Sequence, residues 1–207
     1  MVGAGGHARV CLEALRDNPV FDVVGCVSRD GTAIEGLTAA LLGDDSDLAA
    51  TAARAGATHA FVAIGDNAAR AAAIERCRAA GLVLVNAVSR FAMVSSSARL
   101  GLGVALLPGA VVNASAQLAD GVIVNTNASI DHDCVIGEAA HIAPGSALAG
   151  GVVVGAATMV GMGASVVPGV TIGSQAIVGA GAVVLADVAD GVTVVGVPAR
   201  PRRRTER

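Results

Sequence analysis

The chain has 207 residues and a formal charge of −3, and it is 54% hydrophobic but only 15% charged and 1% aromatic. A chain this apolar cannot stay solvated as a disordered coil, so it must pack aliphatic and small residues in a regular array. The acidic balance and the scarcity of aromatic rings remove the field and the stacking platforms that nucleic acid needs, so no nucleic-acid partner is expected.

The N-terminal half alternates strands and helices. Met1-Val2 precedes Gly3-Ala4-Gly5-Gly6-His7-Ala8, a G-x-G-x-x-A pattern at a strand-to-helix turn. Bare backbone there lets a pyrophosphate approach the N-terminus of the following helix, predicted over His7 to Arg16. Strands over Val20 to Val27, His59 to Ile64 and Leu82 to Val85 alternate with helices over Ser46 to Ala55 and Asn67 to Ala80. Residues 1–86 thus read as a small Rossmann-like α/β domain. It is about half the size of a full doubly wound domain and its first strand is cut to two residues, so a mononucleotide or nucleotide-linked sugar suits it better than a dinucleotide. Gly5, Gly6 and His7 line the first turn, and Asp30 stands past the second strand within reach of ribose or base. Gly65 and Asn67, in Ile64-Gly65-Asp66-Asn67, repeat the strand-turn-helix logic; ordinary turn glycines and helix caps are the alternative reading. The N-terminus has neither the basic region nor the apolar core of a signal peptide, so a cytoplasmic location is expected. Cys11, Cys26, Cys77 and Cys134 form no C-x-x-C pair and read as buried free thiols.

Residues 87–97, with Ser95-Ser96-Ser97, read as a connector. From Ala98 to Asp187 the chain divides into fifteen sixes, and the third residue of every one is Leu, Ile or Val. This is a hexapeptide repeat: each six supplies a short strand with residues one and three inward and residue two outward, then a tight turn. Three sixes close one triangular coil, so residues 98–200 form a parallel β-helix with a C-terminal extension, and 201–207 form a solvated basic tail. The uncharged stretch between Glu138 and Asp187 would catch a membrane-span search, but Gly and Pro interrupt it and its period is not helical, so no membrane insertion is expected. Outward second positions, among them Val111, Ile123, Val135, Val153, Met159, Ile177 and Val183, would leave apolar stripes on a lone prism. Three prisms side by side would cover them, which predicts a homotrimer.

Chemistry concentrates at few places. His132, between Asp131 and Asp133, takes the fifth place of its six, at a corner of the prism. A carboxylate on the imidazole fixes its tautomer and supports positive charge, as a general base requires; a solvated polar turn is the alternative. The polar turn Asn125-Thr126-Asn127 nearby and the scarcity of polar residues elsewhere in the coils favour the functional reading. His141, in an outward second place, reads equally as interface packing. With two β-helix histidines half a coil apart and no third, no metal is expected. Cys134, inward, is core rather than nucleophile.

Together the two halves resemble the sugar-nucleotide N-acetyltransferases and their sialic-acid O-acetyltransferase relatives among the hexapeptide-repeat acyltransferases. The residues that carry the resemblance are Gly3 to Ala8, Ile64 to Asn67, Asn125 to Gly137, and Gly196-Val197-Pro198-Ala199-Arg200. It implies a left-handed β-helix, acetyl-CoA in the groove between two prisms, and an amino-sugar nucleotide, of the 4-amino-4,6-dideoxyhexose type, held by the N-terminal domain. It implies His132 as general base oriented by Asp133, Asn125 and Asp131 holding the sugar, and His7 on the acceptor side. His141 and the N–H of Gly150 would lie beside the acetyl carbonyl, while Gly163, Ala164, Gly181 and Ala182 would let the pantetheine arm approach. Transfer would be direct, without an acyl-enzyme. The acidic neighbours of His132 are Asp where the family often carries Glu, one methylene shorter. A hydroxyl acceptor and a non-catalytic nucleotide-binding trimer are the competing readings.

Overall fold

The computed structural model describes residues 1–202. Val2 makes parallel bridges to both Val27 and Val62, its N–H donating to the Phe61 carbonyl and that of Gly3 to Val27. This short stretch is therefore the centre of a parallel sheet. On one side lie β1 (Cys26–Ser28) and β2 (Leu41–Asp44), and on the other β3 (His59–Ala60) and β4 (Val83–Leu84). Across the sheet the strands run third, second, first, fourth, fifth along the chain, the doubly wound order whose crevice opens where the sequence reverses. The helices are α1 (Gly6–Arg16), α2 (Leu48–Ala55) and α3 (Asn67–Ala79).

The strand expected over Val20 to Val27 is much shorter, and Val20 is 80% exposed. Its pairing with the first strand spans Gly25 to Val27, with the Met1 amino group donating to the Gly25 carbonyl and the Val27 N–H to the Met1 carbonyl. β2 was not expected: Leu-Leu-Gly-Asp at an exposed edge carries no alternation to read.

In the prism, strands pair in parallel eighteen residues apart, Gln117 with Val135, Ile123 with His141, Ser129 with Ala147. Eighteen residues are three sixes, one coil per turn. The first face runs from Arg99–Leu100 to Thr171–Ile172, the second from Ala87–Val88 to Thr193–Val195, and the third from Met93–Val94 to Val183–Val184. Coiling thus starts before Ala98. Ala87–Val88 pairs with Ala105–Leu106, and Met93–Val94 with Val111–Val112. The expected connector at 87–97 is instead the opening coil; Val88 and Val94 keep the third-position rule, which Arg90-Phe91 and the three serines obscured. At the far end Arg200–Pro201 folds back antiparallel on Val194 and Val195, so these residues belong to the edge strand, and the rest of the expected tail, 203–207, lies outside the described residues.

The core follows the six. Leu106, Val112, Val124, Ile130, Ile136 and Ile142 fill the third places, with Ala, Val and Cys134 in the first, and all are buried. Second places differ by face. On the second face Ala105, Ile123 and His141 are buried, because the α/β domain lies over them with Ala8, Cys11, Leu15 and Phe61. Ile123 is therefore covered within the chain and is no part of an exposed stripe. Val135, Val153 and Ile177 remain exposed. Among the described residues no helix is long and apolar enough to cross a membrane.

Candidate active site

Two polar clusters form, and they lie on different parts of the prism. The first is the corner between Ser129–Ile130 on the third face and Val135–Ile136 on the first. Asp133 takes a left-handed turn conformation (φ 60°), which sets its carboxylate 2.8 Å from Nδ1 of His132. Nδ1–H donates to that carboxylate, so Nε2 presents its lone pair outward from a side chain 61% exposed. Asp133, then the charge of Asp131, raises the His132 pKa above 6.5. Asp131 is itself pinned: its Oδ1 accepts from the His132 N–H at 2.8 Å and from Asn113, one coil below, at 3.0 Å. One coil above sits Gly150. A Cβ there would lie 2.5 Å from the imidazole ring, so only glycine lets the ring lie flat on the next turn.

The second cluster lies between the α/β domain and the second face. Oδ1 of Asn125 accepts the N–H of Thr126 at 2.8 Å, which turns its amide nitrogen to Nε2 of His141 at 3.0 Å. Nε2 is thereby an acceptor, and the neutral ring carries its proton on Nδ1, which is buried without a partner. His7, at the start of α1, lies with its ring centroid 6.4 Å from that of His141 and its Nε2 3.3 Å from Sγ of Cys11. Burial first, and the positive charge of Arg70 second, lower both histidines to about 4, while burial pushes Cys11 up to about 12. At neutral pH these three groups are uncharged. Asn125, expected to hold the sugar, here has its amide bonded to His141 and to Thr126.

Above this cluster the glycine turns meet the crevice. Gly3 is required by the sheet, for its φ is +109° and a Cβ would sit 2.6 Å from the Ala63 carbonyl. Gly5, Gly6 and Gly65 are different: a Cβ would meet nothing within 4 Å and none has a left-handed φ. Neither packing nor backbone demands glycine at these three places, so each leaves bare backbone where a Cβ would occupy open space. The N-cap Gly5 offers α1 no side-chain cap, which leaves first-turn N–H groups free for an anion. The loop after β1 folds over this turn, with the Ile34 N–H donating to the Ala4 carbonyl. Within it Oδ1 of Asp30 accepts from Ser28 Oγ and from Thr32 N and Oγ1, leaving Oδ2 outward; these bonds, Thr32's first, hold its pKa below the usual carboxylate value.

Three expected positions are corrected. Asp66 is the N-cap of α3, accepting from the Ala69 N–H at 2.8 Å, and this turns Asn67 onto the prism. Its Nδ2 donates to the Ala157 carbonyl and its Oδ1 accepts from Arg70, so Asn67 does not face the crevice. Ala164 and Ala182 are fully buried in inward first places, so their methyl groups line the core; the corner glycines Gly163 and Gly181 are the ones open to the outside. The sequence reading overlooked Arg70, which a helix pattern hides among alanines. A cavity of about 380 Å³ lined by Met1, Phe21, His59 and Phe61 lies at the opposite ends of the sheet strands and touches none of these residues.

The fold and site define a hexapeptide-repeat acyltransferase carrying a nucleotide-binding domain. Residues 1–77 match the PglD N-terminal domain and residues 151–186 the bacterial transferase hexapeptide family of six repeats. No curated protein matches. PerB from Caulobacter crescentus, solved with CoA and GDP-perosamine, is 45% identical over 98% of this chain and 95% of its own, with a TM-score of 0.92. The acetyltransferase domain of PglB from Neisseria gonorrhoeae, solved also with acetyl coenzyme A, is 34% identical over 97% of each chain, with a TM-score of 0.85. WeeI from Acinetobacter baumannii is 25% identical over 97% of each, at 0.84. The chain belongs to the CoA-dependent sugar-nucleotide N-acetyltransferases, and its prism is a left-handed β-helix.

Proposed function

We propose that this protein acetylates the amine of a GDP-linked 4-amino-4,6-dideoxyhexose, as a homotrimer in the cytoplasm, where acetyl-CoA and nucleotide sugars are made. The likeness to PerB over nearly the whole chain supports that acceptor class. The observation that carries the mechanism is His132, its Nδ1 locked by Asp133 and its Nε2 free. The amine nitrogen attacks the thioester carbon, and the C–N bond forms as its proton passes to Nε2. Asp133 balances the imidazolium that results. The tetrahedral oxyanion collapses, the C–S bond breaks, and His132 returns the proton to the departing thiolate. The Gly150 N–H, which has no acceptor among the described residues, stands beside the ring to stabilise the oxyanion.

The placement of the two clusters supports the homotrimer reading. His132 occupies the corner opposite the face that carries His141, so one chain holds the base and the glycine crevice apart. Three prisms packed on their exposed Val135 and Val153 faces bring one chain's corner to its neighbour's crevice. There the unpartnered Nδ1–H of His141 donates to an oxygen of donor or acceptor. Asp131, through its free Oδ2, and His7 line the acceptor side; Gly5, Gly6, Gly65 and Asp30 hold the nucleotide; Gly163 and Gly181 leave room for pantetheine.

The test is free-thiol release from acetyl-CoA with GDP-, UDP- and dTDP-linked amino sugars, with His132→Ala as control. Release with the GDP sugar, lost in the variant, is expected; release that survives the substitution overturns the mechanism.

A further inference from the structure

Arg70 is 1% exposed, and no carboxylate contacts it among the described residues. Guanidinium groups gain most from carboxylates, so a buried one aimed only at neutral oxygens calls for another explanation. Each of its five N–H donors has an acceptor. Nε donates to the Gly121 carbonyl at 2.8 Å. Nη1 reaches the carbonyls of Ile64 and Gly65 at 3.0 and 2.9 Å. Nη2 reaches Oδ1 of Asn67 at 2.8 Å and the Ala139 carbonyl at 2.7 Å. Asn67 lies one helical turn earlier on the same face of α3 and donates to the Ala157 carbonyl at 2.9 Å.

Gly121, Ala139 and Ala157 are corner residues eighteen apart, all with left-handed φ of 51 to 67°. Their carbonyls form a ladder, one rung per coil. Arg70 holds two rungs and Asn67 the third, while the other edge of the same guanidinium grips the Gly65 loop. The α/β domain is thereby locked to the prism at one height.

We propose that Arg70, with Asn67, is a positioning residue for acetyl transfer: the pair fixes where the nucleotide turn sits along the prism, and so selects acceptors by the distance from diphosphate to amine. The inference rests on the acetyltransferase reading above. Adjacent coils lie about 4.8 Å apart, close to the width of one hexose ring, so a slip of one rung would move the amine clear of the transfer point. A much smaller shift matters too, since an error of about 1 Å in a reacting pair costs on the order of 100-fold. The charge of Arg70, second to burial, lowers the His141 pKa, so the two side chains sense each other across the same junction.

The experiment compares Arg70→Met and Arg70→Lys with the full-length wild type. Calorimetry measures CoA and GDP affinity, steady-state kinetics separate kcat from acceptor KM, and ¹⁵N NMR follows the imidazole of His141. In folded Arg70→Met, CoA affinity stays within about twofold while kcat falls about 10- to 100-fold, the His141 signals move, and Arg70→Lys recovers part of both. Unchanged kcat and His141 signals overturn the proposal, and so does a parallel loss of CoA affinity and rate, which would mark Arg70 as general support for the fold. If Arg70→Met does not fold, Asn67→Leu, which removes a single rung contact, is read the same way. Should the wild type acetylate nothing, the acetyltransferase reading fails alone, and the His141 signals and GDP affinity still decide the brace: no change in either overturns it.

Discussion

In the prism, a residue's place in its six decides whether it is buried, whereas in the α/β domain burial depends on partners far along the chain. Ile130, Ile136 and Ile142 are core because each is third in its block. Val2 is core because Val27 and Val62 flank it, and nothing in Met1-Val2-Gly3 announces that. The same difference separates the chemistry. The proposed base is carried by a corner of the repeat, and the proposed acceptor crevice is assembled from three turns of a sheet.

The division can be broken most forcefully at His132. Replacing it with Ala should lower kcat by about 10²- to 10⁴-fold, the range for a lost general base, with GDP and CoA affinities unchanged by calorimetry. A comparable loss of GDP affinity would show that corner and crevice are not separable.

Acid should distinguish the regions next. His7 and His141 are held neutral at about 4, against 6.5 in the unfolded chain, so between those values the unfolded state binds protons that the folded state does not. Stability is full above pH 6.5 and declines as the pH falls to about 4, by at most about 3 kcal/mol per histidine before any allowance for solvent. Both lie where the domain meets the prism, so hydrogen exchange should rise first in α1 and the Gly65 loop while prism amides stay protected. His7→Gln should flatten part of the slope. A prism that loosens with the domain would contradict the division.

Glycines test it at single residues. Gly3→Ala forces a clash with the Ala63 carbonyl at a φ of +109° and should cost about 1–3 kcal/mol in denaturant unfolding. Gly5→Ala meets nothing and should leave stability within about 1 kcal/mol, yet weaken GDP binding because its methyl enters the crevice. Equal stability losses would remove the argument that Gly5 serves a ligand.

Legibility followed the same line. The repeat exposed the prism, its coil length and the corner place of His132, because each coil repeats one local rule. The opening coil escaped because polar residues at 89–97 hid Val88 and Val94. In the α/β domain the glycine turns were readable, since glycine chemistry is local, but not which side of α3 faced the crevice. Asn67 looked like a ligand contact until Asp66 took the cap and turned it onto the prism. Arg70 was invisible because four of its five acceptors are backbone carbonyls, which any sequence supplies, brought together only by docking.

The subtlest effect concerns Asp133, where prism geometry and acid-base chemistry coincide. Its bond to Nδ1 is the largest influence raising the His132 pKa, ahead of the charge of Asp131. In the proposed mechanism His132 accepts a proton only when Nε2 is unprotonated, so kcat/KM should fall on the acid side with an apparent pKa above 6.5. Asp133→Asn keeps an oxygen for Nδ1–H but removes the charge, so the acid limb should move down toward 6.5 while the plateau drops severalfold, because the imidazolium formed during attack loses its counter-charge. The two changes run in opposite senses, a wider active pH range with a slower maximum, and a general loss of folding produces no such pair. An unmoved limb would assign the pH dependence to another group, and the shorter reach of Asp at this corner would then have no catalytic consequence.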